Sequence, residues 1–409
     1  MATTSKTKQP KRSKAPVRHS ERSHALLSAS GASRWFNCTP SARLEDLYGV
    51  HETSAYAKEG TLAHEFAELS IRRDVLKNIS SEEFDTGLEK IMADELFDQE
   101  ILDTIPRYVD YVATETRASI ERDPFAITEI EQKLDLTEFV PESFGTGDCV
   151  VISDGTMEVI DLKYGKGVAV YATENKQLML YGLGALRKYQ PFYDITNVKL
   201  TIVQPRLDNI SSWEISVDDL LTWATEKLKP AAEAAFNGEG ELKPGEWCKF
   251  CSIKNKCSAL AEKNLELTKY EFADAALLTD EQVADILANV DNLVEWANSV
   301  KEYALKQAVE NKKVWPNFKL VEGVSRRKWL SEAEAANAIR ANILESSEDE
   351  IYEMKLKSIT EIEKLYGKKY VDEVLSDVIV KPQGKPTLVP LDDKRPALGI
   401  EDAVKDFME

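Results

Sequence analysis

The sequence predicts an α/β fold with a mixed central sheet flanked by helices, followed by a mostly helical C-terminal region. Three observations predict it. Apolar residues recur with helical spacing over 60–76 and 88–119. Two strands joined by a tight turn follow over 146–163, and then a helix over 175–189 and an apolar strand over 198–205. Helix, strands, helix and strand in this order are typical of a sheet covered by helices.

The composition excludes several classes of protein. The chain has 409 residues, enough for two or three domains, with 43% hydrophobic and 30% charged residues. It contains no run of 18 apolar residues and opens on no apolar segment, so we expect neither a membrane span nor a signal peptide. The net charge of −19 argues against a protein that coats nucleic acid through bulk charge, but it allows a local basic channel.

The first 24 residues form a basic tail with a net charge of +6, in which only Glu21 opposes seven Lys and Arg residues. Together with its Pro and Ser residues, this charge predicts a disordered segment. A solubilising tail is the simpler interpretation. A weak nucleic-acid tether is the main alternative, and a transit peptide is the least favoured one because no amphipathic pattern is present.

The sequence predicts the α/β domain over 25–260 and a mostly helical, acidic region over 261–409. Two capping boxes open helices in the second region, Thr279 with Gln282 and Ser331 with Glu334. The Pro-rich segment 381–396 is expected to be extended.

The turn between the two central strands fixes how they pair. Asp154-Gly155 favours a type I′ turn, in which both central residues have positive φ. If Ser153 and Thr156 flank this turn, the numbers of paired residues add up to 309. A β-bulge would shift this register slightly.

This register places Asp148 opposite Asp161, with Cβ atoms about 4.5–5.5 Å apart. Lys163 projects from the same face, which otherwise carries the apolar residues Val150, Ile152, Met157 and Val159. Two facing carboxylates repel each other, so the pair indicates a divalent cation. The alternative is that Asp148 is a turn residue and Asp161 pairs with Lys163.

Two helices carry polar pairs spaced four residues apart. His64 and Glu68 share one helix face, and Gln177 and Tyr181 share another. A neutral imidazole suits Mn²⁺ or Mg²⁺ at a site rich in carboxylates. Taken alone, each pair is also compatible with an ordinary surface or packing contact. Residues 162–190 add a local charge of +4, as expected of a surface that contacts phosphates.

The cysteines form a third pattern. Cys248, Cys251 and Cys257 are spaced C-x2-C-x5-C, which indicates a metal or cluster site that needs a fourth ligand. Cys38 is the better candidate, because Cys149 alternates toward the apolar neighbours of the hairpin and is expected to be a buried thiol. Zinc and an iron–sulfur cluster both fit four cysteines, and three cysteines without metal are the remaining interpretation.

Six motifs, in this order, resemble those of the RecB-like branch of the PD-(D/E)XK nucleases. They are Cys38, GTLAHEFAE (60–68), GTGD (145–148), DLK (161–163), Q-x-x-x-Y (177–181) and C-x2-C-x5-C. Within this branch, the set is similar to the iron–sulfur nucleases of the AddB and CRISPR-adaptation type. The resemblance covers residues 25–260. The whole chain, including KPTLVP near its C-terminus, also resembles an uncharacterised phage and prophage family known only as a domain of unknown function.

The resemblance implies a restriction-endonuclease-like core and a role for each motif residue. His64, Asp148, Asp161 and the backbone carbonyl of Leu162 would bind Mg²⁺ or Mn²⁺. Lys163 would position or activate water and stabilise charge on the phosphate, and Gln177 and Tyr181 would contact the DNA strand. The four cysteines Cys38, Cys248, Cys251 and Cys257 would hold a [4Fe-4S] cluster. Glu68 is left outside the metal set.

The leading hypothesis is therefore a Mg²⁺- or Mn²⁺-dependent DNA nuclease, most simply an exonuclease acting on linear ends or single strands in phage recombination, repair or replication. No Walker A motif is present, so a helicase or a phage annealing protein would act in trans. We expect a cytoplasmic location in a bacterial host, without membrane binding. The alternatives are a non-catalytic DNA-binding or assembly protein and an iron–sulfur redox sensor. SRRKW (325–329) fits a DNA clamp or, more simply, a solvated strand.

Overall fold

The computed structural model describes residues 25–49, 55–267, 278–319 and 358–375, together with positions 321, 331, 334, 337, 378 and 379. The chain divides into two compact units, 1–305 and 306–409. The basic tail, SRRKW and the Pro-rich segment lie outside the described residues. The predicted domain division at residue 260 stays a prediction.

Helices account for most of the described chain outside the sheet. In the first half they are α1 Ala32–Asn37, α2 Ser41–Tyr48, α3 Ala55–Asp74, α4 Ser81–Met92, α5 Gln99–Arg122 and α6 Lys176–Tyr189. The later helices are α7 Val217–Trp223, α8 Lys229–Asn237, α9 Ser258–Leu265, α10 Asp280–Glu310, α11 Ile359–Tyr366 and α12 Lys368–Leu375.

Five strands form one mixed sheet whose order follows the chain. They are β1 Ile127–Asp135, β2 Phe144–Ser153, β3 Gly155–Leu162, β4 Ile195–Gln204 and β5 Asn209–Ser216. β1, β2 and β3 form an antiparallel meander, β4 is parallel to β3, and β5 is antiparallel to β4. Helix α6 provides the crossover that a parallel pair requires. The predicted α/β class with a mixed, helix-flanked sheet is confirmed.

Two apolar layers cover the two faces of the sheet. On one face, α6 packs with Val150, Ile152, Met157 and Val159, the four apolar residues predicted for that side of the hairpin. On the other face, α3 and α5 pack over Cys149, Val151, Ile160 and Leu162. The alternation predicted for the hairpin is therefore confirmed, and Cys149 is the buried thiol expected.

Local signals explain where several elements begin and end. The Asn175 side chain accepts hydrogen bonds from the first backbone N–H groups of α6, so this helix starts where predicted. Pro205 follows the last residue of β4 and ends that strand, as predicted. Thr279 and Gln282 exchange the two capping-box hydrogen bonds, and Glu334 N–H donates to Ser331 Oγ at 3.3 Å.

The prediction of one helical stretch over 88–119 is wrong. The helix α4 ends at Met92, and α5 begins at Gln99. The Asp98 side chain caps α5 by accepting from Glu100 N–H at 3.0 Å, which starts a new helix instead of continuing the old one. Apolar residues keep their helical spacing across the break, so this spacing does not reveal it.

Candidate functional site

The β2–β3 hairpin brings Asp148 and Asp161 to facing positions on neighbouring strands. Its ladder pairs Cys149 with Ile160 and Ser153 with Thr156, which confirms the predicted register. Asp148 precedes Cys149 and Asp161 follows Ile160, so both carboxylates lie one residue beyond the last pair of the ladder.

The turn itself differs from the prediction. Gly155 has φ of 83°, but Asp154 is not among the residues with positive φ, so the type I′ assignment is wrong. Asp154 N–H donates to Asp123 Oδ2 at 3.0 Å, and Asp154 Oδ1 accepts from Asp194 N–H at 3.2 Å. These bonds to neighbouring segments hold another turn geometry. The register is unchanged because the loop still has two residues.

Asp148 lies between the end of β3 and helix α3. Its Oδ2 accepts a hydrogen bond from Leu162 N–H at 2.8 Å, and its Oδ1 lies 3.5 Å from His64 Nδ1. Burial raises the pKa of Asp148 to about 6, against the lowering effect of His64, and the charge of Asp161 adds to the rise. A cation bound nearby would therefore stabilise the ionised form of Asp148.

Asp161 is 2% exposed and is held by two side chains. Lys163 Nζ lies 2.7 Å from its Oδ2, and Gln177 Nε2 lies 3.4 Å from its Oδ1. Burial lowers the pKa of Lys163, but the carboxylates of Asp161 and Asp148 outweigh this effect and raise the pKa above its usual value. Lys163 therefore carries a positive charge between the sheet and α6.

The α6 pair is linked to this site by hydrogen bonds. Gln177 Oε1 accepts from Lys163 Nζ at 3.0 Å, and Gln177 Nε2 lies 3.0 Å from Tyr181 Oη. Gly145 makes room for Tyr181, since a Cβ at that position would lie 2.6 Å from Tyr181 Cε1. The first glycine of GTGD thus lets the ring of Tyr181 pack directly on β2.

A third carboxylate, Glu131, belongs to the same cluster and was missed by the sequence analysis. Within the described residues, His64, Glu131 and Asp148 place one ligand atom each within 4.8 Å of one another. Asp161 does not join this group of three, so the predicted set of His64, Asp148 and Asp161 is only partly brought together. Partial burial, followed by the charges of Asp148, Glu68 and Asp161, raises the pKa of Glu131 to about 8.

Sequence could have found Glu131 only through the pairing of β1 with β2. These strands are joined by an eight-residue connection, 136–143, which fixes no register. The carboxylate of Glu68, one turn after His64 on α3, lies 3.5 Å from Arg72 Nη1 through its Oε1. Glu68 is not one of the predicted metal ligands, and its partner is an arginine one helical turn away.

The four predicted cluster ligands line one small cavity. Cys38, Cys248, Cys251 and Cys257 all border a space of about 20 Å³ beside α1 and α9. Burial raises the pKa of Cys38 and, to about 12, that of Cys251. Cys149 lies in the helix-covered core on the other side of the sheet and is not part of this group.

A polar bridge joins the segments that carry these cysteines. The carboxylate of Glu45 on α2 accepts from Arg34 Nε at 2.5 Å and from Ser252 N–H at 2.7 Å. Arg34 Nη1 in turn donates to the carbonyl of Phe250 at 3.4 Å. The N-terminal helices are therefore bound to the loop of C-x2-C-x5-C by side chains as well as by the shared cavity.

A larger cavity of about 1,210 Å³ lies beside both sites. Its lining includes Lys163 and Gln177 from the acid site, and Cys248 and Trp247 from the cysteine loop. Phe250, between two of the cysteines, also lines it and is 73% exposed. The cavity therefore borders Lys163 and Gln177, the two side chains that hold Asp161, and its lining carries basic, acidic and aromatic side chains.

The basic stretch 162–190 does not form a single patch. Lys163 and Lys176 line the large cavity. Lys166 lies 3.5 Å from Glu100, and Arg187 lies 3.3 Å from Asp135. Only part of the predicted +4 charge therefore faces the cavity.

The fold and these side chains define an α/β protein with a carboxylate-rich candidate metal centre and a separate four-cysteine site. The chain belongs to the family described as "Protein of unknown function (DUF2800)", which matches residues 24–396. No helix within the described residues is both long and apolar enough to span a membrane.

Two solved structures are similar to part of the chain. One, from Eubacterium rectale, is described as a "Putative exonuclease"; it is 14% identical, with a TM-score of 0.26, over 64% of this chain and 92% of its own. The other is the protein SSO0001, 14% identical with a TM-score of 0.20, over 56% of this chain and 96% of its own. At these TM-scores neither similarity bears on function.

Proposed function

We propose that this protein is a Mg²⁺- or Mn²⁺-dependent deoxyribonuclease of the RecB-like type, acting on DNA ends as an exonuclease in phage or prophage DNA recombination, repair or replication. One observation carries the proposal. Asp148 and Asp161 directly adjoin Cys149 and Ile160, the last pair of the hairpin ladder, and Lys163 Nζ lies 2.7 Å from Asp161 Oδ2. Paired carboxylates beside a charged lysine are suited to hydrolysing a phosphodiester.

The donor set fits a hard divalent cation. Carboxylate oxygens, a backbone carbonyl and a neutral imidazole are ligands that Mg²⁺ and Mn²⁺ accept. Asp148, Asp161, His64 and the carbonyl of Leu162 would hold the cation. When bound, it would neutralise charge on the phosphate and activate water.

The remaining roles belong to side chains of the chain itself. Lys163, charged because its pKa is raised, would stabilise the negative charge that develops on the phosphate as water adds and the ester oxygen leaves. Gln177 would orient Lys163 through its 3.0 Å hydrogen bond. Tyr181, linked to Gln177, would contact the strand that carries the scissile phosphate.

The four cysteines support an iron–sulfur cluster more than zinc. In a tetrahedral zinc site the sulfurs lie about 3.8 Å apart, because each Zn–S bond is about 2.3 Å long. No three of the four sulfurs, all in described residues, lie within 4.8 Å of one another. We therefore propose a [4Fe-4S] cluster, with Cys38 as the fourth ligand, as the resemblance to iron–sulfur nucleases implies.

The large cavity gives a path for DNA to this site. Its lining includes Lys163 and the exposed Phe250, which would offer charge for a phosphate and an aromatic face for a base. This favours a single strand or a frayed end as the part of the DNA that reaches the acids. A helicase or annealing protein would supply such an end in trans.

End-labelled linear DNA and closed circular DNA, each incubated with Mn²⁺ or Mg²⁺, test the activity. We expect degradation of the linear substrate only. Asp161→Asn and Lys163→Met should each reduce the rate by about 100-fold or more, since they remove groups that act on the transition state. Asp110→Ala, an exposed acid on α5, serves as the control and should cleave normally.

Two results would contradict the proposal. Cleavage that persists undiminished in Asp161→Asn would show that another site is responsible. A protein that binds DNA but never cuts it with either cation would leave a binding or assembly role. The visible spectrum of anaerobically purified protein tests the cluster separately: a colourless protein containing zinc would refute it without touching the nuclease.

A further inference from the structure

The connection between β3 and α6, residues 163–175, contains neither helix nor strand, yet it is firmly anchored. Gln204, the last residue of β4, is 1% exposed and holds the connection through its side-chain amide. Its Oε1 accepts from Val170 N–H at 2.6 Å, and its Nε2 donates to the carbonyl of Val168 at 3.1 Å. A buried amide that is bonded through both of its polar atoms fixes the segment that it contacts.

The strand β5 adds two further anchors to the same connection. Asn209 Nδ2 donates to the carbonyl of Val170 at 2.9 Å, and Ser211 Oγ accepts from Ala172 N–H at 3.1 Å. Apolar packing supports these bonds, because Ala172 is fully buried and Val170 packs against the core that α6 covers. The side chains that the connection carries are therefore held in place.

Two apolar side chains of this anchored connection do not face the core. Val168 is 50% exposed and Tyr171 is 45% exposed. Both line the large cavity, which Lys163 and Lys176 line as well. Packing accounts for the residues of the connection that turn inward, but it gives no reason for an exposed aromatic ring in a cavity with two lysines. Apolar side chains beside a few charged groups in a cavity are typical of a ligand-binding surface.

An aromatic ring together with two ammonium groups fits a nucleotide, whose base stacks on the ring while its phosphates contact the lysines. The lysines alone would attract phosphates only weakly. Lys163 Nζ lies 2.7 Å from Asp161, and Lys176 Nζ lies 3.8 Å from Glu174, so each ammonium group is partly neutralised. Stacking on Tyr171 would add binding energy that does not depend on this charge.

We propose that the ring of Tyr171 stacks on a nucleobase of the DNA strand whose phosphate lies at Lys163. This inference rests on the proposed nuclease function, which has the scissile phosphate at Lys163. A base within a duplex is paired and already stacked on its neighbours, so only an unpaired base can offer its face to the ring. Tyr171 thereby selects a single strand or a frayed end, and it does so without regard to base sequence, since every base has such a face.

Fluorescence anisotropy of a labelled single-stranded oligonucleotide, measured with the full-length chain in EDTA at low ionic strength, tests this contact without cleavage. Tyr171→Ala should raise Kd by roughly 5- to 100-fold, the contribution of one base stacked on an aromatic ring. Tyr171→Phe keeps the ring and should leave Kd unchanged. Phe192→Ala is the matched control, because this ring is 80% exposed on the connection between α6 and β4 and lies outside the cavity lining.

Oligonucleotides that each carry one abasic nucleotide, at successive positions from the end, locate the stacked base. At that position, loss of the base should weaken binding to the parent protein by the same factor as Tyr171→Ala. It should not weaken binding to Tyr171→Ala any further, because the two changes remove the same contact. If the two losses multiply at every position, the ring contacts no base and the inference is wrong.

Two further results would overturn the inference: an unchanged Kd in Tyr171→Ala, or a parent protein that binds no single-stranded DNA. The measurements separate it from the proposed function. Weakened binding by Tyr171→Ala in a protein that cuts no DNA with Mn²⁺ or Mg²⁺ would support the stacked base and refute the nuclease. Normal cleavage by the parent, together with an unchanged Kd in Tyr171→Ala, would do the reverse.

Discussion

Replacing Asp148 with asparagine should stabilise the protein in the absence of divalent cations. The side chain is 13% exposed, and its pKa is raised from 3.8 to about 6, chiefly by burial. At roughly 1.4 kcal/mol per pH unit, this difference corresponds to about 3 kcal/mol of destabilisation by the ionised form. The asparagine side chain would keep an oxygen that can accept from Leu162 N–H but would carry no charge.

The sign of the effect follows from the raised pKa. Near pH 4 the carboxyl is largely protonated in the folded protein and about half protonated in the unfolded chain, so the variant should gain little. The gain should grow as pH rises and be complete above about pH 7. Added Mn²⁺ should reverse the order, because the cation binds the folded parent protein and stabilises it by mass action.

Urea unfolding in EDTA at pH 4, 6 and 8 measures this, with tryptophan fluorescence, to which the buried Trp35 contributes, as the reporter. Glu129→Gln is the matched control and should show no comparable gain. If Asp148→Asn were no more stable than the parent at pH 8 in EDTA, the carboxylate would not be a destabilising buried charge. Asp148 would then give no support to a cation site at this position.

Three further changes test packing and charge elsewhere. Gly145→Ala should destabilise the folded protein by about 1–3 kcal/mol, because the added Cβ would meet the ring of Tyr181. Gly60→Ala, in open space on α3, should instead stabilise it by up to about 1 kcal/mol. Thermal unfolding of the two variants measures the difference. Arg206→Met removes the ion pairs that Arg206 makes with Glu59 on α3 at 2.9 Å and with Glu100 at 2.5 Å. Amide hydrogen exchange over α3, residues 55–74, should therefore become faster. Unchanged exchange would contradict this expectation. Lys199→Met leaves Glu158 buried without its cation and should lose about 3–5 kcal/mol at pH 8. Burial raises the pKa of Glu158 to about 7, so the loss in urea unfolding should shrink at pH 5; equal losses at both pH values would refute this.

The hairpin shows how much sequence can predict here. One dipeptide, Asp154-Gly155, together with period-two alternation, was enough to place Asp148 opposite Asp161 and to assign the apolar residues to their face. The turn type was wrong because tertiary hydrogen bonds to Asp123 and Asp194 select the backbone geometry. Loop length fixes register, but loop conformation depends on its surroundings.

The sequence pattern could predict neither the position of Glu131 in the acid cluster nor the break between the helices at 93–98. The segment ITEIEQKLD carries a polar–apolar pattern that β1 itself interrupts at Glu131, so no single periodicity describes it. The break between α4 and α5 depends on the Asp98 cap, which leaves the helical period intact. Each feature is set by contacts between elements, and these do not appear as a repeat along the chain.

The sequential order of the five strands has a consequence for how the chain folds during synthesis. Each strand after β1 pairs with the strand synthesised just before it. Glu131, Asp148 and Asp161 can therefore come together as soon as residues 127–162 have been synthesised. Contacts this local form quickly. The cysteine site is the opposite case, because more than 200 residues separate Cys38 from Cys248, and the four thiols can meet only after the sheet is complete. The cysteine site is therefore expected to mature after the sheet.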